Sequence, residues 1–542
     1  MDALFTVPTP VNEPVLDYAP GSAERESLQN RLSELAKTDH VLEMHIGGQD
    51  RKGGGEEIQV VQPHKHSHVL GVAHAATKEQ AADAVAAAKK AAPAWSRLPF
   101  EERAAVFLKA AELLATTWRD TINGSTILGQ SKTAMQSEID AACELIDFLR
   151  FNVHFAEQIY AKQAISSKGL WNRTDHRPLD GFVYAVTPFN FTAIAGNLPT
   201  SPALMGNTVV WKPASTQLLS AHYFMQVLRA AGLPDGVINM VHGPGPDISD
   251  VVLYDKELAG VHFTGSTATF QHLWKSVGNN ISNYRAYPRI VGETGGKDFI
   301  MAHPSANVDE LAVAIARGTF EYQGQKCSAV SRAYVPASLW NNGVRDQLVE
   351  IANDVTYGDT TDFSNFGGAV IDRRAFDKHT ALFDRVAGDD SCQVLAGGTA
   401  DDSVGYFVDP TVIECSDAEH ELFHTEYFGP IVGVHVFDDN KFDATVKQAA
   451  DIAPYALTGA LFATDRDVIN QASEDLRFAA GNYYINDKPT GAVVGQQPFG
   501  GARGSGTNDK AGSWQNLVRW VSPRSIKENF VPPTSYKYPH QG

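Results

Sequence analysis

Three side chains that stand far apart in the chain could together carry one reaction: Cys327, Glu293 and Asn190. Cys327 lies in "FEYQGQKCSAV", where Gln323, Gly324, Gln325 and Lys326 precede it and Ser328 follows. A buried structural cysteine usually has apolar neighbours. This one is therefore either an ordinary loop thiol or a nucleophile held where a substrate can reach it. A thiolate that attacks a carbonyl creates an oxyanion, which needs fixed donors; Asn190, in the uncharged run "TPFNFT", could supply one. Hydrolysis of the resulting thioester needs a base that activates water. Glu293 in "VGETGGK" ends an apolar run, a setting that raises a carboxyl pKa toward neutrality. Taken singly, Asn190 also reads as a turn cap and Glu293 as an ordinary pairing residue.

The elements that must position them follow from periodicity. "TKEQAADAVAAAKKAAPAW" and "FEERAAVFLKAAELLATTW" read as amphipathic helices with acidic first turns, and "SEIDAACELIDFLRFNVHFAEQIY" as a third, longer helix. Short β-rich runs, "GFVYAVTP", "NTVVWKP", "GVINMVHG", "GVHFTG" and "YPRIVGE", then alternate with helix-sized segments. That alternation predicts a parallel sheet with crossover helices. A second set runs from "DFIMA" and the helix "NVDELAVAIARGTFEY" through "RAYVP", "LFATD" and "NYYIN". "RWVSPRSIKENFVP" reads as an exposed strand. The fold class is α/β, with two sheets and a small strand appendage.

The first sheet lacks G-x-G-x-x-G. At a strand-to-helix junction stands "FTGSTATF", where Gly265 permits close backbone approach and Ser266 can cap the next helix. Such a turn either offers N–H groups to a pyrophosphate or is a plain capped turn. Lys212 in "VVWKPAS" ends a predicted strand, the side of an open sheet where ligands bind.

Composition bounds the rest. A chain of 542 residues, 43% hydrophobic and 20% charged, implies two to four globular domains. The net charge of −18 argues against general affinity for nucleic acid or anionic membrane. Four scattered cysteines without a C-x-x-C pair suit a reducing, cytoplasmic setting rather than a disulfide framework. "MDALFTVPTPVNEPV" has no basic or long apolar run and reads as neither signal nor transit peptide. Residues 181–211 carry no charge, but Pro188, Asn190, Asn197, Pro199, Pro202 and Asn207 interrupt them, which predicts buried strand, helix and strand rather than a membrane span. His64, His66 and His68 alternate like one strand face; no acid or cysteine nearby completes a ligand set, and no metal is expected.

"PFNFTAI", "WKP", "FTGS", "ETGGKDF", "GQKCSA" and "EYFGP" stand in the order of the aldehyde dehydrogenase superfamily, which the chain resembles from about residue 40 onward. "SEIDAACELIDFLRFN", "FEYQGQKCSA" and "INDKPTGAVVGQQPFGGARGSGTNDKAG" resemble its Δ1-pyrroline-5-carboxylate dehydrogenase branch, which oxidises L-glutamate γ-semialdehyde in the second step of proline degradation. The resemblance implies an N-terminal extension over residues 1–40 and a Rossmann-type NAD-binding domain over 41–162 and 182–296. It further implies oligomerisation strands at 163–181 and 521–542 and an α/β catalytic domain over 297–520.

The resemblance also assigns roles. Cys327 is the nucleophile, Asn190 with the Cys327 backbone N–H holds the oxyanion, and Glu293 is the base. NAD lies across Lys212, Gly265 and Ser266, with Thr187 near its nicotinamide end, Glu426 on the nicotinamide ribose and Phe428 beside it. The substrate ammonium faces Glu138, which shares a predicted helix edge with Ala142, Leu145 and Leu149. The substrate carboxylate takes the backbone N–H groups of Gly491 and Ala492 and the Ser328 hydroxyl, while Phe191 and Phe499 flank the aliphatic stem. Two positions depart from the pattern. Ala492 replaces a serine found in some relatives. Ser215 stands where many NAD-preferring members carry an acid, so some NADP use is expected beside NAD. A homo-oligomer of at least two chains is expected, with a separate proline dehydrogenase supplying the substrate; whether the two enzymes touch is left open.

Overall fold

A computed structural model describes residues 5–542. Its frame is two seven-stranded sheets. In the first, five parallel strands lie side by side in the order Arg289–Glu293, Leu258–Thr264, Phe182–Val186, Thr208–Lys212 and Ile238–Met240. The antiparallel pair Met44–Ile46 and Gln49–Arg51 extends the far edge. Leu258–Thr264 is buried at every position, as befits a sheet with helices on both faces. Alternate residues feed opposite cores: Val183, Ala185, Val209 and Trp211 one, Phe182, Tyr184 and Val210 the other. The strand order reverses beside Phe182–Val186, which opens a crevice at the carboxyl ends of this strand and Leu258–Thr264.

The second sheet runs Cys392–Ala396, Thr411–Cys415, Ile431–Phe437, Val330–Pro336, Asp298–Ala302, Thr458–Phe462 and Asn482–Ile485, parallel except at its first pair. Helix Val308–Phe320 returns from Asp298–Ala302, and the chain then bends through the Cys327 loop into Val330–Pro336. The predicted tail strand, Val521–Asn529, pairs antiparallel with Leu170–Pro178 in continuous register from Val521↔Pro178 to Asn529↔Leu170. Among the described residues no helix is long and apolar enough to cross a membrane.

Three features differ from the sequence reading. The N-terminal forty residues are more than an extension: they include helix Ala23–Lys37, capped by Ser22, whose Leu28, Leu32 and Leu35 are buried. A third sheet joins His40–Leu42, Lys65–His74 and Glu57–Gln62. Lastly, the long helix predicted over residues 137–160 contains a π-helical stretch at Glu138–Cys143 before Glu144–Ala161. The wider turn shifts every later side chain around the axis, a change of phase that a 3.6-residue pattern cannot register.

Candidate active site

The polar stretch around Cys327 is buried with most of its groups hydrogen-bonded, Gln323 Oε1 and Gln325 Nε2 being the exceptions. Tyr322 and Gln323 adopt left-handed backbone, φ 51° and 54°, at the end of helix Val308–Phe320. The Tyr322 hydroxyl donates to Gln130 O (3.0 Å), and Gln323 Nε2 donates to Ser131 O (3.0 Å) and Ala369 O (2.8 Å). Gln325 Oε1 accepts from Ile371 N (2.9 Å). Gly324, at φ 64°, lies so close to Gly429 that an added Cβ would sit 2.0 Å from its carbonyl oxygen. Strained backbone held this firmly fixes the loop that follows.

Asn190, just past strand Phe182–Val186, donates from Nδ2 to Gln325 O at 2.9 Å. One amide hydrogen is spent in holding the cysteine loop; the other is left for an oxyanion. Glu293 ends the edge strand, and its Oε2 accepts from Gly501 N at 3.3 Å. Burial holds its carboxyl well above the ordinary carboxylate range, against the pull of the Gly501 N–H and Lys510. Burial also pushes the Cys327 thiol well up, and the fields of Asp298, Glu293 and Glu426 push it further. The half-buried thiol therefore lies within the field of Glu293, and the resting sulfur carries its proton.

The cofactor crevice has the parts a dinucleotide needs. Lys212 is half-exposed at its strand end and has no hydrogen-bond or ion-pair partner among the described residues; burial lowers its amine to about 8. Ser266 caps helix Thr267–Asn279, its Oγ accepting from Thr269 N at 3.2 Å. Gly265 corrects one expectation: its N–H donates to Glu293 O (3.2 Å), so it offers a pyrophosphate no donor, and the first turn of that helix must. Thr187 is buried, with Oγ1 accepting from Trp211 Nε1 at 3.0 Å. Ser215 opens the turn Ser215–Gln217 just beyond Lys212. Glu426 accepts from Gly296 N at 3.0 Å, and an added Cβ on Gly295 would meet its carboxylate at 2.2 Å. Phe428 takes φ 58° and meets Phe189 edge-on at 5.9 Å. An unpaired cation, a helix terminus and a second carboxylate around a switch-point crevice fit a nicotinamide dinucleotide.

At the other mouth, Ser328 is buried with its hydroxyl 2.9 Å from that of Thr490, a contact the sequence reading missed. Thr490 leads directly into Gly491, at φ 100°, and Ala492. Phe191 lies beneath Lys132 Nζ at 4.2 Å from the ring centre. Phe499 is half-buried and bridges Ala511, with Phe499 N donating to Ala511 O at 2.9 Å.

Glu138 does not face this mouth. Its carboxylate is fully buried and accepts from Leu16 N (2.9 Å), the Tyr18 hydroxyl (2.8 Å), Asn123 Nδ2 (2.8 Å) and the Arg119 guanidinium. A carboxylate has about four acceptor sites, so none remains for a substrate ammonium. The π-helical stretch explains the misreading. Six residues on, Glu144 is half-exposed and has no hydrogen-bond or ion-pair partner among the described residues. Burial and the nearby Asp140 hold its carboxyl well above the ordinary range, with Lys132 and Lys326 opposing. Lys326 immediately precedes Cys327, which places Glu144 at the reactive end of the chain. A half-buried acid without a partner is poised for a cationic group. Glu144→Gln is expected to raise the KM of an aldehyde bearing an ammonium by about tenfold, and to leave the KM of propanal unchanged. Steady-state assays with both aldehydes read the difference.

Two clusters could suggest a metal, and neither has the geometry. His64 faces Ser131 Oγ (3.1 Å), His66 faces Asp402 O (2.8 Å) and His68 faces Ala36 O (2.9 Å), in three separate directions. Cys392 and Cys415 lie opposite each other across two strands with Sγ atoms 3.1 Å apart, and His420 is beside them. Thiolates on one tetrahedral zinc stand about 3.8 Å apart. His420 Nδ1 accepts from Leu422 N (3.2 Å), which leaves the proton on Nε2, the atom that faces Asp389 and Cys392.

Comparison with known proteins agrees with this geometry. A family model described as the aldehyde dehydrogenase family matches residues 50–524. The chain is 47% identical over 541 residues to the mitochondrial delta-1-pyrroline-5-carboxylate dehydrogenase of Dictyostelium discoideum, covering 99% of this chain and 97% of that one. It is 44% identical to the mitochondrial delta-1-pyrroline-5-carboxylate dehydrogenase of Homo sapiens, covering 97% and 93%. Among solved structures, it matches the delta-pyrroline-5-carboxylate dehydrogenase from Mycobacterium tuberculosis bound with NAD at a TM-score of 0.97 and 58% identity, over 100% of both chains. With a thiol, an amide and a carboxylate gathered beside a dinucleotide crevice, and with a family model matching nearly the whole length, this chain belongs to the aldehyde dehydrogenase family.

Proposed function

We propose that this chain oxidises L-glutamate γ-semialdehyde, the open form of Δ1-pyrroline-5-carboxylate, to L-glutamate with NAD. The observation that carries this reading is the pair of neighbourhoods that flank Cys327. One side opens on the dinucleotide crevice, and the other offers an unpartnered acid, Glu144, together with the Ser328–Thr490 hydroxyl pair. The substrate's ammonium goes to Glu144, and its carboxylate goes to the Gly491 and Ala492 N–H groups and the Ser328 hydroxyl. Phe191 and Phe499 hold the stem.

Cys327 Sγ gives its proton to solvent water and attacks the aldehyde carbon, and a C–S bond forms as the C=O π bond opens onto oxygen. Asn190 Nδ2 and the Cys327 N–H hold the oxygen, which carries the developing charge. The bound NAD supplies the hydride acceptor for that carbon. Cys327 is then left as a thioester. Glu293, as the base, takes a proton from water; the hydroxide adds to the thioester carbon, the C–S bond breaks, and Glu293 returns its proton to the departing sulfur as the acid is released.

Support for the cofactor comes from the unpartnered Lys212 at the crevice. Ser215 brings no charge against a 2′-phosphate, so NADP is expected to serve as a weaker substitute. Ser215→Glu is expected to cut kcat/KM for NADP by about tenfold and leave NAD within about twofold, because a carboxylate repels the phosphate. Paired assays with the two cofactors check it. Exposure of the antiparallel ribbon Leu170–Pro178 and Val521–Asn529 supports a homo-oligomer of at least two chains. Four free thiols support a reducing, cytoplasmic setting, where a separate proline dehydrogenase supplies the substrate.

The test is a substrate panel. NADH formation should be at least about a hundredfold more efficient, in kcat/KM, with Δ1-pyrroline-5-carboxylate than with simple aliphatic aldehydes. Equal efficiency overturns the substrate assignment.

A further inference from the structure

We infer that the N-terminal segment of residues 7–18 is a clasp that sets the shape of the substrate mouth, with Asn12 as its positioning residue. The segment crosses the outside of helix Glu144–Ala161 and touches both walls of that mouth. Asn12 Nδ2 donates to Asp147 Oδ2 at 2.8 Å and to Val494 O at 2.9 Å, while Asn12 Oδ1 accepts from Gln496 Nε2 at 2.9 Å. One amide side chain thus ties the helix that carries Glu144 to the loop that carries Gly491 and Ala492. Asp147 lies three residues beyond Glu144, on the next turn. Val494 and Gln496 lie within five residues of Gly491.

The clasp is locked on the side away from the loop. Glu13 N donates to Asp147 Oδ1 (2.7 Å), and the Glu13 carboxylate accepts from Arg119 Nη1 (2.5 Å) and Arg150 Nη1 (2.6 Å). Arg119 also donates to Pro14 O (2.8 Å) and pairs with Glu138, which accepts from Leu16 N and the Tyr18 hydroxyl. This answers why Glu138 is saturated: its carboxylate anchors the strap. The strap's start is held separately, by Val7 N donating to Glu157 Oε1 at 2.8 Å.

The loop needs such a tie. Gly491, Ala492 and Val493 have few partners, since Gly491 and Val493 are exposed and the Val493 N–H bonds only within the loop, to Gln497 Oε1 at 3.0 Å. Val494 is buried in the core beside helix Glu144–Ala161, and Gly495 lies so near Phe151 that an added Cβ would meet its ring at 2.4 Å. Asn12 therefore closes a loop already seated on the helix and fixes the distance between the acid and the N–H cradle. A dipolar substrate held at both charged ends is sensitive to that distance.

The proposal rests on the reading that Glu144 and the loop hold the two charged ends of the substrate. Its test compares Asn12→Ala, Asn12→Gln and Glu157→Ala in the full chain, with Δ1-pyrroline-5-carboxylate and with propanal. Asn12→Ala is expected to raise KM for the former about tenfold, with kcat, KM for NAD and KM for propanal within about twofold. Amide hydrogen exchange over residues 491–497 should speed up, and Asn12→Gln should restore part of the affinity. Glu157→Ala, which frees only the start of the strap, should leave every constant unchanged. Unaltered KM for Δ1-pyrroline-5-carboxylate and unaltered exchange in Asn12→Ala would overturn the clasp, even where the melting temperature falls. Failure of the underlying reading looks different: the wild-type chain would then show no preference for Δ1-pyrroline-5-carboxylate over propanal.

Discussion

Cys327→Ala should abolish NADH formation from the semialdehyde, lowering kcat by at least about 10⁴-fold, since the covalent step has no other sulfur to use. The remaining cysteines stand elsewhere. Cys143 contacts Glu138 and Arg119 beneath the N-terminal strap, and Cys392 with Cys415 sits on the far edge of the second sheet. None can substitute. The change is small and removes no side-chain hydrogen bond, because the loop is held by Tyr322, Gln323, Gln325 and Asn190 rather than by the thiol. Folding should therefore survive, with a melting temperature within about 3 °C of wild type. Titration of NAD by quenching of tryptophan fluorescence should give an unchanged Kd, since Lys212, Ser266 and Glu426 are untouched. A variant that binds NAD normally and still turns over more than a few per cent of the wild-type rate would remove the nucleophile from the mechanism. Loss of NAD binding with loss of turnover would instead mean that the thiol shapes the crevice.

The parts of this site that were legible in sequence are those set by strand ends. Asn190, Lys212, Gly265 and Glu293 each stand at the end of an apolar β run, and the carboxyl-end side of a parallel sheet is where such runs deliver side chains. The parallel sheets themselves followed from alternation of runs and helices. What escaped notice depended on local departures from regular geometry. The π-helical stretch at Glu138–Cys143 changes the phase of the helix between Glu138, whose carboxylate is fully bonded, and Glu144, which has no partner among the described residues, and a pattern counted at 3.6 residues per turn passes over it. Thr490 carries no periodic signal, and its partner Ser328 lies 162 residues away. The polar N-terminal segment looked like a tail because its bonds run to Asp147, Val494 and Arg119, contacts with sequence separations above 100. Gly265 was read as a donor to a phosphate, but the carbonyl that takes its N–H belongs to Glu293 on the neighbouring strand.

Glu293→Gln should separate the two halves of the reaction. The amide keeps the size of the acid and can still accept from the Gly501 N–H, so the segment at residues 499–507 stays seated on strand Arg289–Glu293. That seating has further support from Thr507 Oγ1, which accepts from Gly292 N at 3.0 Å, and from Thr294 N, which donates to Ser505 O at 2.9 Å. What the amide cannot do is take a proton from water. The variant is expected to release up to one NADH per subunit and then stall, with steady-state turnover down by about 10²–10⁴-fold and an acyl group retained on Cys327 by mass spectrometry. The pH dependence fixes the sign. Burial raises the Glu293 carboxyl well above its ordinary value, and a general base works only when ionised. Wild-type deacylation should therefore climb with pH through that raised value and then level off. The Gln variant should lack this rise and show only the slow first-order increase due to hydroxide. A variant that turns over at the wild-type rate, or one with no trapped acyl group, would deny Glu293 the deacylating step. Restoration of turnover by added coenzyme A would be more telling still: it would mean that the thioester is handed to a thiol, and that the chain is an acyl transferase rather than a hydrolytic dehydrogenase.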